Sequence, residues 1–343
     1  MNSKTNTRNI LIGSLLIASV LTAILFVLMA AAPTWAQSGA GRSQQQGPPR
    51  GQWTIKPFRI IGNVYSVGLS NNTSYLITTP QGHFLIDPTI EPAVGDIRKN
   101  IEQLGFQLKD IKFILQSHAH GDHVGGLAQF KELTGAKVLV MAQDAEVLAD
   151  GGQSDFRGGE HWTPVRADKI LHDGEKVPLG GVTMVAHLTA GHTKGCTTWT
   201  TVAEENGKKY NVVFVCSVRM NTGIPLVGNA KYPNIAEDFE NAFKTLKKLP
   251  CDVFLVSHAN MFNMEEKIKR MEQGSATNPF IDPEGYRTFV TQYEKAFEDQ
   301  LKKERAGGPP NTASPEPPGI CPPDGRTCYG QGGTVTASGR RTS

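Results

Sequence analysis

Ile111-Lys112-Phe113-Ile114-Leu115-Gln116-Ser117-His118-Ala119-His120-Gly121-Asp122-His123 is an apolar run that ends in three imidazoles and a carboxylate within six residues. Ionisable side chains this close are costly to bury unless they are paired or coordinate a cation. Helical ligand pairs fall at i and i+4, as in H-E-x-x-H. His118 and His120 are two apart, so they share a pocket only from a strand end or a tight turn, while Asp122 and His123 lie beyond and aim elsewhere. The apolar run before them reads as that strand. The stretch is therefore a metal-binding loop carried on the end of a buried strand.

Working outward, strand and helix signals alternate on both sides. Residues 72–78 and His83-Phe84-Leu85-Ile86-Asp87 flank Pro80-Gln81-Gly82, which reads as a hairpin. Val94 to Leu104 has helical spacing and stops near Gly105; Gly125 to Leu133 stops before Gly135. Val138 to Met141 reads as a strand and Asp144 to Ala149 as a short helix. Further strands are expected at Val182 to Thr189, Thr197 to Val202, Val212 to Cys216 and Val253 to Val256. Helices are expected at Ile235 to Leu249 and Pro283 to Arg305. Grouped strands separated by helices favour two sheets packed face to face under helical layers. Gly151 to Arg166 is a long polar loop with Phe156 and Trp162 embedded. It reads either as the wall of a substrate groove or as a loop whose aromatics tuck back onto the domain.

The ends of the 343-residue chain differ from its middle. Asn9 to Ala32 is almost continuously apolar, preceded by Lys4 and Arg8 and followed by Thr34-Trp35-Ala36, the order of a secretory signal peptide. Residues 1–36 are thus expected to be a cleaved leader, with an uncleaved membrane anchor as the alternative. Residues 37–52 read as a flexible linker and 53–305 as one domain. The Pro- and Gly-rich residues 306–343 have too few large aliphatic groups to repay their ordering entropy and are expected to be disordered. Without its ends the chain is close to electrically balanced, and it has no basic patch with interleaved aromatics, so nucleic acid is not an expected partner. Five cysteines in an exported chain suggest a disulfide, but the count is odd and connectivity is not derivable; at least one thiol should be free or pair between molecules.

The pattern H-x-H-x-D-H after an apolar strand resembles the metallo-β-lactamase superfamily. So do Thr189-Ala190-Gly191-His192-Thr193-Lys194-Gly195, Ser257-His258 after Asp252-Val253-Phe254-Leu255-Val256, and Leu85-Ile86-Asp87, all in the family's order between Phe58 and Met264. The resemblance implies an α/β (α+β) fold, the four-layer αββα sandwich, with the site on one edge. It implies two zinc ions, one held by His118, His120 and His192 and the other by Asp122, His123 and His258. Three neutral imidazoles would leave one zinc position for water. Thr193 and Asp87 would orient ligands by hydrogen bonds or cap turns. His83, His161, His172 and His187 lack partners and read as surface or packed residues.

Within the family, His123 and Ser217 point to one subclass. Relatives such as glyoxalase II and lactonases carry a bridging Asp where this chain has Ser217, and the resulting ligand pattern resembles subclass B3. In that frame Ser217 and Arg219 are candidate substrate contacts, although Arg219 also reads as an ordinary surface residue. Cys216 would approach the second zinc only if the register slipped by one. The implied activity is hydrolysis of β-lactams (penicillins, cephalosporins, carbapenems) by metal-activated water, with Asp122 relaying a proton to the leaving nitrogen, in the periplasm, giving antibiotic resistance. A lactonase or thioesterase of the same fold, and a non-catalytic metal-binding envelope protein, are the competing readings. The partner is then a small molecule, contact with a membrane runs only through an uncleaved leader, and the sequence leaves the oligomeric state open.

Overall fold

A computed structural model describes residues 55–312; the expected leader, the linker, residues 53–54 and the tail beyond 312 lie outside the described residues. The first sheet holds seven strands in chain order: β1 (Phe58–Ile61), β2 (Val64–Ser66), β3 (Tyr75–Thr79), β4 (Gly82–Ile86), β5 (Ile111–Leu115), β6 (Lys137–Met141) and β7 (Lys169–Leu171). The second holds β8 (Lys176–Leu179), β9 (Val182–Leu188), β10 (Thr197–Glu205), β11 (Lys208–Val215) and β12 (Val253–Val256), in the order β12-β11-β10-β9-β8. The helices are α1 (Val94–Gln103), α2 (Gly121–Val124), α3 (Leu127–Thr134), α4 (Ala145–Ala149), α5 (Ile235–Lys248), α6 (Met264–Glu272) and α7 (Pro283–Arg305).

Period-two alternation explains the layering. Phe84 and Ile86 on β4, Leu115 on β5, and Leu139 and Met141 on β6 join the core shared with the second sheet. Their neighbours Leu85, Ile114, Val138 and Val140 join the cluster of Ile97 and Ile101 of α1 and Leu127 and Phe130 of α3. Strands covered on both faces read as continuous apolar runs, which is why these three were legible in the sequence. The other sheet is covered by α5 and α7, whose Phe239 and Phe297 rings lie 5.3 Å apart, and Phe289 of α7 packs 5.7 Å from Phe254 of β12. Each fully buried ring stabilises the fold by about 1.5–3 kcal/mol. The expected αββα sandwich is the observed architecture.

Strand direction decides where the site lies. β4, β5, β6 and β7 pair in parallel, as do β11 and β12, and β9 runs the same way as β11 because both are antiparallel to β10. Parallel pairs need crossovers, and α1, α2 with α3, α4 and α5 supply them. The carboxyl ends of β4, β5, β6, β9, β11 and β12 lead into Asp87, His118, Asp144, His192, Ser217 and His258 respectively. Loops at such ends are the usual place for a site in open α/β sheets.

Several boundaries differ from the sequence reading. β10 and β11 run on to Glu205 and from Lys208, pairing Glu204 with Lys209 and Glu205 with Lys208. The turn between them is Asn206-Gly207, both left-handed (φ 52° and 73°), the backbone that a two-residue hairpin favours. β1, β2, β7, β8 and α6 have little signal in the sequence, because the strands have only three or four residues and α6 is mostly charged. The tail expected to be disordered from residue 306 is ordered at its start. Asn311 is buried, and its carbonyl accepts from Gly223 N at 2.7 Å, which holds the first residues beyond α7 against the domain. Among the described residues no helix is long and apolar enough to cross a membrane.

Candidate metal centre

Asp87 adopts φ 53°, a conformation that costs an ordinary L-residue about 1–2 kcal/mol. Its carboxylate explains why the strain is kept. Oδ1 accepts from Ser117 N at 2.6 Å, and Oδ2 accepts from Ser117 Oγ at 2.7 Å. The same Oδ2 lies 3.1 Å from His123 Nδ1. Asp87 therefore fixes the exit of β5 and the ring of the motif's last histidine at once.

Beyond Ser117 the chain turns, and α2 begins within the motif at Gly121. The loop geometry that the spacing called for holds at His118 and His120, whereas Asp122 and His123 lie on the short helix α2. His118 and His120 ring centroids are 4.6 Å apart, and each lies 4.7 Å from the ring of His192, which arrives from the second sheet. His192 Nδ1 donates to the carbonyl of Arg219 at 2.7 Å, which leaves Nε2 unprotonated in the neutral ring. His118 Nδ1 contacts Ser117 Oγ at 2.9 Å, and its Nε2 is buried with no hydrogen-bond partner. Burial first, and neighbouring imidazoles after it, hold His118 and His120 well below the usual histidine range. Burial also lowers His192, to about 3. Three neutral imidazoles around an orphaned buried nitrogen suit a divalent cation.

The second trio converges more tightly. His123 Nε2 lies 3.2 Å from His258 Nε2, and Asp122 Oδ2 lies 3.3 Å from the first and 3.5 Å from the second. Ligands at 2.0–2.1 Å around a tetrahedral zinc are about 3.3 Å from one another, so these separations fit a shared ion. Burial opposes a charge on His123, but the Asp122 and Asp87 carboxylates overcome it and push its pKa up to about 10. Burial opposes a charge on Asp122 as well, yet the adjacent His123 and His258 hold its carboxyl well below the usual range. His118 and His123 rings are 4.2 Å apart, so the two trios share one wall. Donor atoms within each trio all lie within 4.8 Å of one another.

Residues with no sequence signal support the trios. Asn72 Nδ2 donates to Asp122 Oδ2 at 2.9 Å. Asn72 also bridges by backbone to His258, which ties the β2–β3 loop to both ligands. Glu160 accepts from Gly121 N at 2.7 Å and pairs with Arg157, which also pairs with Asp155. Asp155 in turn lies 3.7 Å from His120 Nε2. The loop 151–166 thus fits both of its expected readings. Phe156 tucks 5.0 Å from Tyr232, while Arg157 and Glu160 line a groove of about 440 Å³ with His192, Ser217, Arg219 and His258.

Cys216 is disulfide-bonded to Cys196, so neither sulfur is available as a zinc ligand even though both lie near His118. Cys251 is the free cysteine among the described residues. Ser217 is buried on the groove wall, its Oγ accepting from Arg219 N at 3.3 Å. His83 packs edge-on against Phe106 at 5.2 Å, and His187 Nε2 contacts Thr200 Oγ1 at 2.8 Å, so both are packed residues.

Comparison with known proteins places this geometry in context. A family model described as "Metallo-beta-lactamase superfamily" matches residues 67–258, more than half of the chain. The native FEZ-1 metallo-beta-lactamase from Legionella gormanii is 44% identical with a TM-score of 0.73, over 75% of this chain and 99% of that one. LRA-12, a class B3 di-zinc metallo-beta-lactamase from an Alaskan soil metagenome, is 33% identical with a TM-score of 0.69, over 74% and 98%. A hydroxyacylglutathione hydrolase from Pseudomonas aeruginosa is 39% identical, but over only 82 residues, 24% of this chain and 25% of that protein. The chain spans only 25% to 53% of the length of the curated relatives it matches first.

Proposed function

This chain belongs to the metallo-beta-lactamase superfamily, and from that premise we propose that it opens the ring of β-lactam antibiotics by hydrolysing the cyclic amide. Its solved structural neighbours include metallo-beta-lactamases, two of them described as class or subclass B3, and the superfamily is one of metal-dependent hydrolases. The observation that carries the proposal is the pairing of an all-histidine trio with an Asp-His-His trio across one wall, with Ser217 rather than a carboxylate at the end of β11. That combination supports a lactamase over the carboxylate-bridged thioesterases and lactonases of the same fold. The partial likeness to hydroxyacylglutathione hydrolase keeps the thioesterase as the second reading.

The proposal assigns His118, His120 and His192 to one zinc ion and Asp122, His123 and His258 to another. Bound there, the ions would supply Lewis acidity and a lowered pKa for water. The protein's own groups do the rest. Asp122, whose side chain is partly exposed beside His258, takes a proton and returns it at the leaving ring nitrogen. Ser217 Oγ is assigned to substrate contact rather than attack, so no acyl-enzyme forms. Arg219 offers a forked donor to the substrate carboxylate from the groove wall beside His258. We include export to the periplasm and a role in antibiotic resistance. Export rests on the apolar segment led by Lys4 and Arg8, whether cleaved or kept as an anchor, and recovery of the chain in the cytoplasmic fraction would count against it.

A panel of a chromogenic cephalosporin, a penicillin, a carbapenem, an acyl-homoserine lactone and a hydroxyacyl thioester tests the substrate class. Turnover of the β-lactams is expected; turnover confined to the lactone or thioester overturns the proposal in favour of the second reading. Arg219→Met should raise KM for β-lactams about tenfold with kcat changed little, as loss of a charge-assisted contact made equally in ground and transition states. A fall in kcat with KM unchanged would remove Arg219 from carboxylate binding.

A further inference from the structure

Asp144 follows β6 and is 2% exposed, with no part in either metal trio. Its Oδ2 accepts from Ala119 N at 2.9 Å and from Thr193 Oγ1 at 2.8 Å, and its Oδ1 accepts from Gly195 N at 2.7 Å. A buried carboxylate is tolerated only when its oxygens are satisfied, and here three donors satisfy both of them. All three donors come from ligand-bearing segments. Ala119 stands between His118 and His120 on the first sheet's loop, and Thr193 and Gly195 follow His192 on the second sheet's loop.

The approach is tight enough to depend on backbone identity. A Cβ at Gly195 would collide with Asp144, and one at Gly191 would strike the Phe239 ring. The loop around His192 is therefore clamped between Asp144 and α5. The second trio has different supports: Asp87 contacts His123, and Asn72 contacts Asp122 and His258. Asp87 also reaches the first trio through Ser117, whose Oγ contacts His118, but Asp144 is the carboxylate that joins the segments of both sheets beneath the all-histidine trio.

We propose that Asp144 is a positioning residue for the first trio, holding His118 and His120 in register with His192 so that the three nitrogens meet one metal ion. The inference rests on the metal assignment above and not on the substrate class. Carboxylates that orient metal ligands cost about 10- to 100-fold in metal affinity when replaced. Asn at position 144 keeps the shape but aims an amide donor at groups that are themselves donors.

Zinc affinity is measured by competition with a chromophoric chelator on the full chain in two backgrounds. His258→Ala leaves the first trio complete, and His192→Ala leaves the second complete. Asp144→Asn should weaken Zn2+ binding about 10- to 100-fold in the His258→Ala background. In the His192→Ala background it should leave binding within about twofold, as expected for independent sites. Equal weakening in both, which a general structural role would give, or none in the first, overturns the proposal. If Asp144→Asn does not fold, Thr193→Val removes one of the three bonds; it should weaken the first background alone by about fivefold, and no change there overturns the proposal equally. Failure of either single-trio background to bind Zn2+ with Asp144 intact would instead sink the metal assignment itself.

Discussion

His118→Ala should lower kcat/KM for a chromogenic cephalosporin by about 10³-fold or more. The Lewis acidity of a bound ion contributes several kcal/mol to such a reaction, and each 1.36 kcal/mol is a factor of ten. His118 is the residue to choose because its Nε2 is buried without a hydrogen-bond partner, so the imidazole has no evident structural bond to lose on that side. It also stands where the two trios meet, 4.2 Å from the His123 ring and 4.7 Å from the His192 ring. Stripped of metal, the variant should melt close to the metal-free parent; with zinc added, the parent alone should gain its full stabilisation. Activity within tenfold of the parent would mean that the chemistry happens elsewhere.

The Cys196→Ala, Cys216→Ala double variant should unfold about 3 kcal/mol more easily. The crosslink joins residues 20 apart, and closing a loop of that length removes about this much chain entropy from the unfolded state. In a domain of this size the loss corresponds to a melting temperature lower by roughly 6–12 °C. The bond also ties the loop after His192 to the end of β11 just before Ser217, so metal retention should weaken along with stability. A melting temperature within about 2 °C of the parent would show that the packing of β10 and β11 alone fixes these loops.

Legibility in the sequence followed how local each signal was. The motif from His118 to His123 was readable because four metal-capable side chains fall in six residues, and the spacing of His118 and His120 excluded a helix for that pair. His192 and His258 carry no such density and became candidates through their order and flanking residues. Asn72, Asp144, Asp155 and Glu160 were not legible as supports. Each acts across at least 25 positions of chain, on backbone or side-chain atoms of the ligand-bearing segments that only the fold brings near. The disulfide shows the same limit, since the cysteines left its connectivity open and the pairing of β10 with β11 brings Cys196 and Cys216 together. The Asn206-Gly207 hairpin differs: its turn signal was in the sequence, but the charged pairs beside it hid the strand ends.

Strands buried on both faces, β4 to β6 and β12, were read at or near their observed bounds because burial forces an apolar run. β7 and β8 expose much of their length and show none. The tail boundary was misplaced for a related reason. Asn311 is held by a backbone bond to Gly223, and backbone bonding leaves no mark on composition.

The central claim is that turnover of a β-lactam depends on zinc held by two trios, and metal removal with graded return tests it most directly. Chelated full-length protein, freed of chelator and assayed with a chromogenic cephalosporin, should retain less than about 1% of its activity and regain it as up to two equivalents of Zn2+ are added. Turnover that survives complete metal removal, or that zinc fails to restore to a folded chain, would contradict the account.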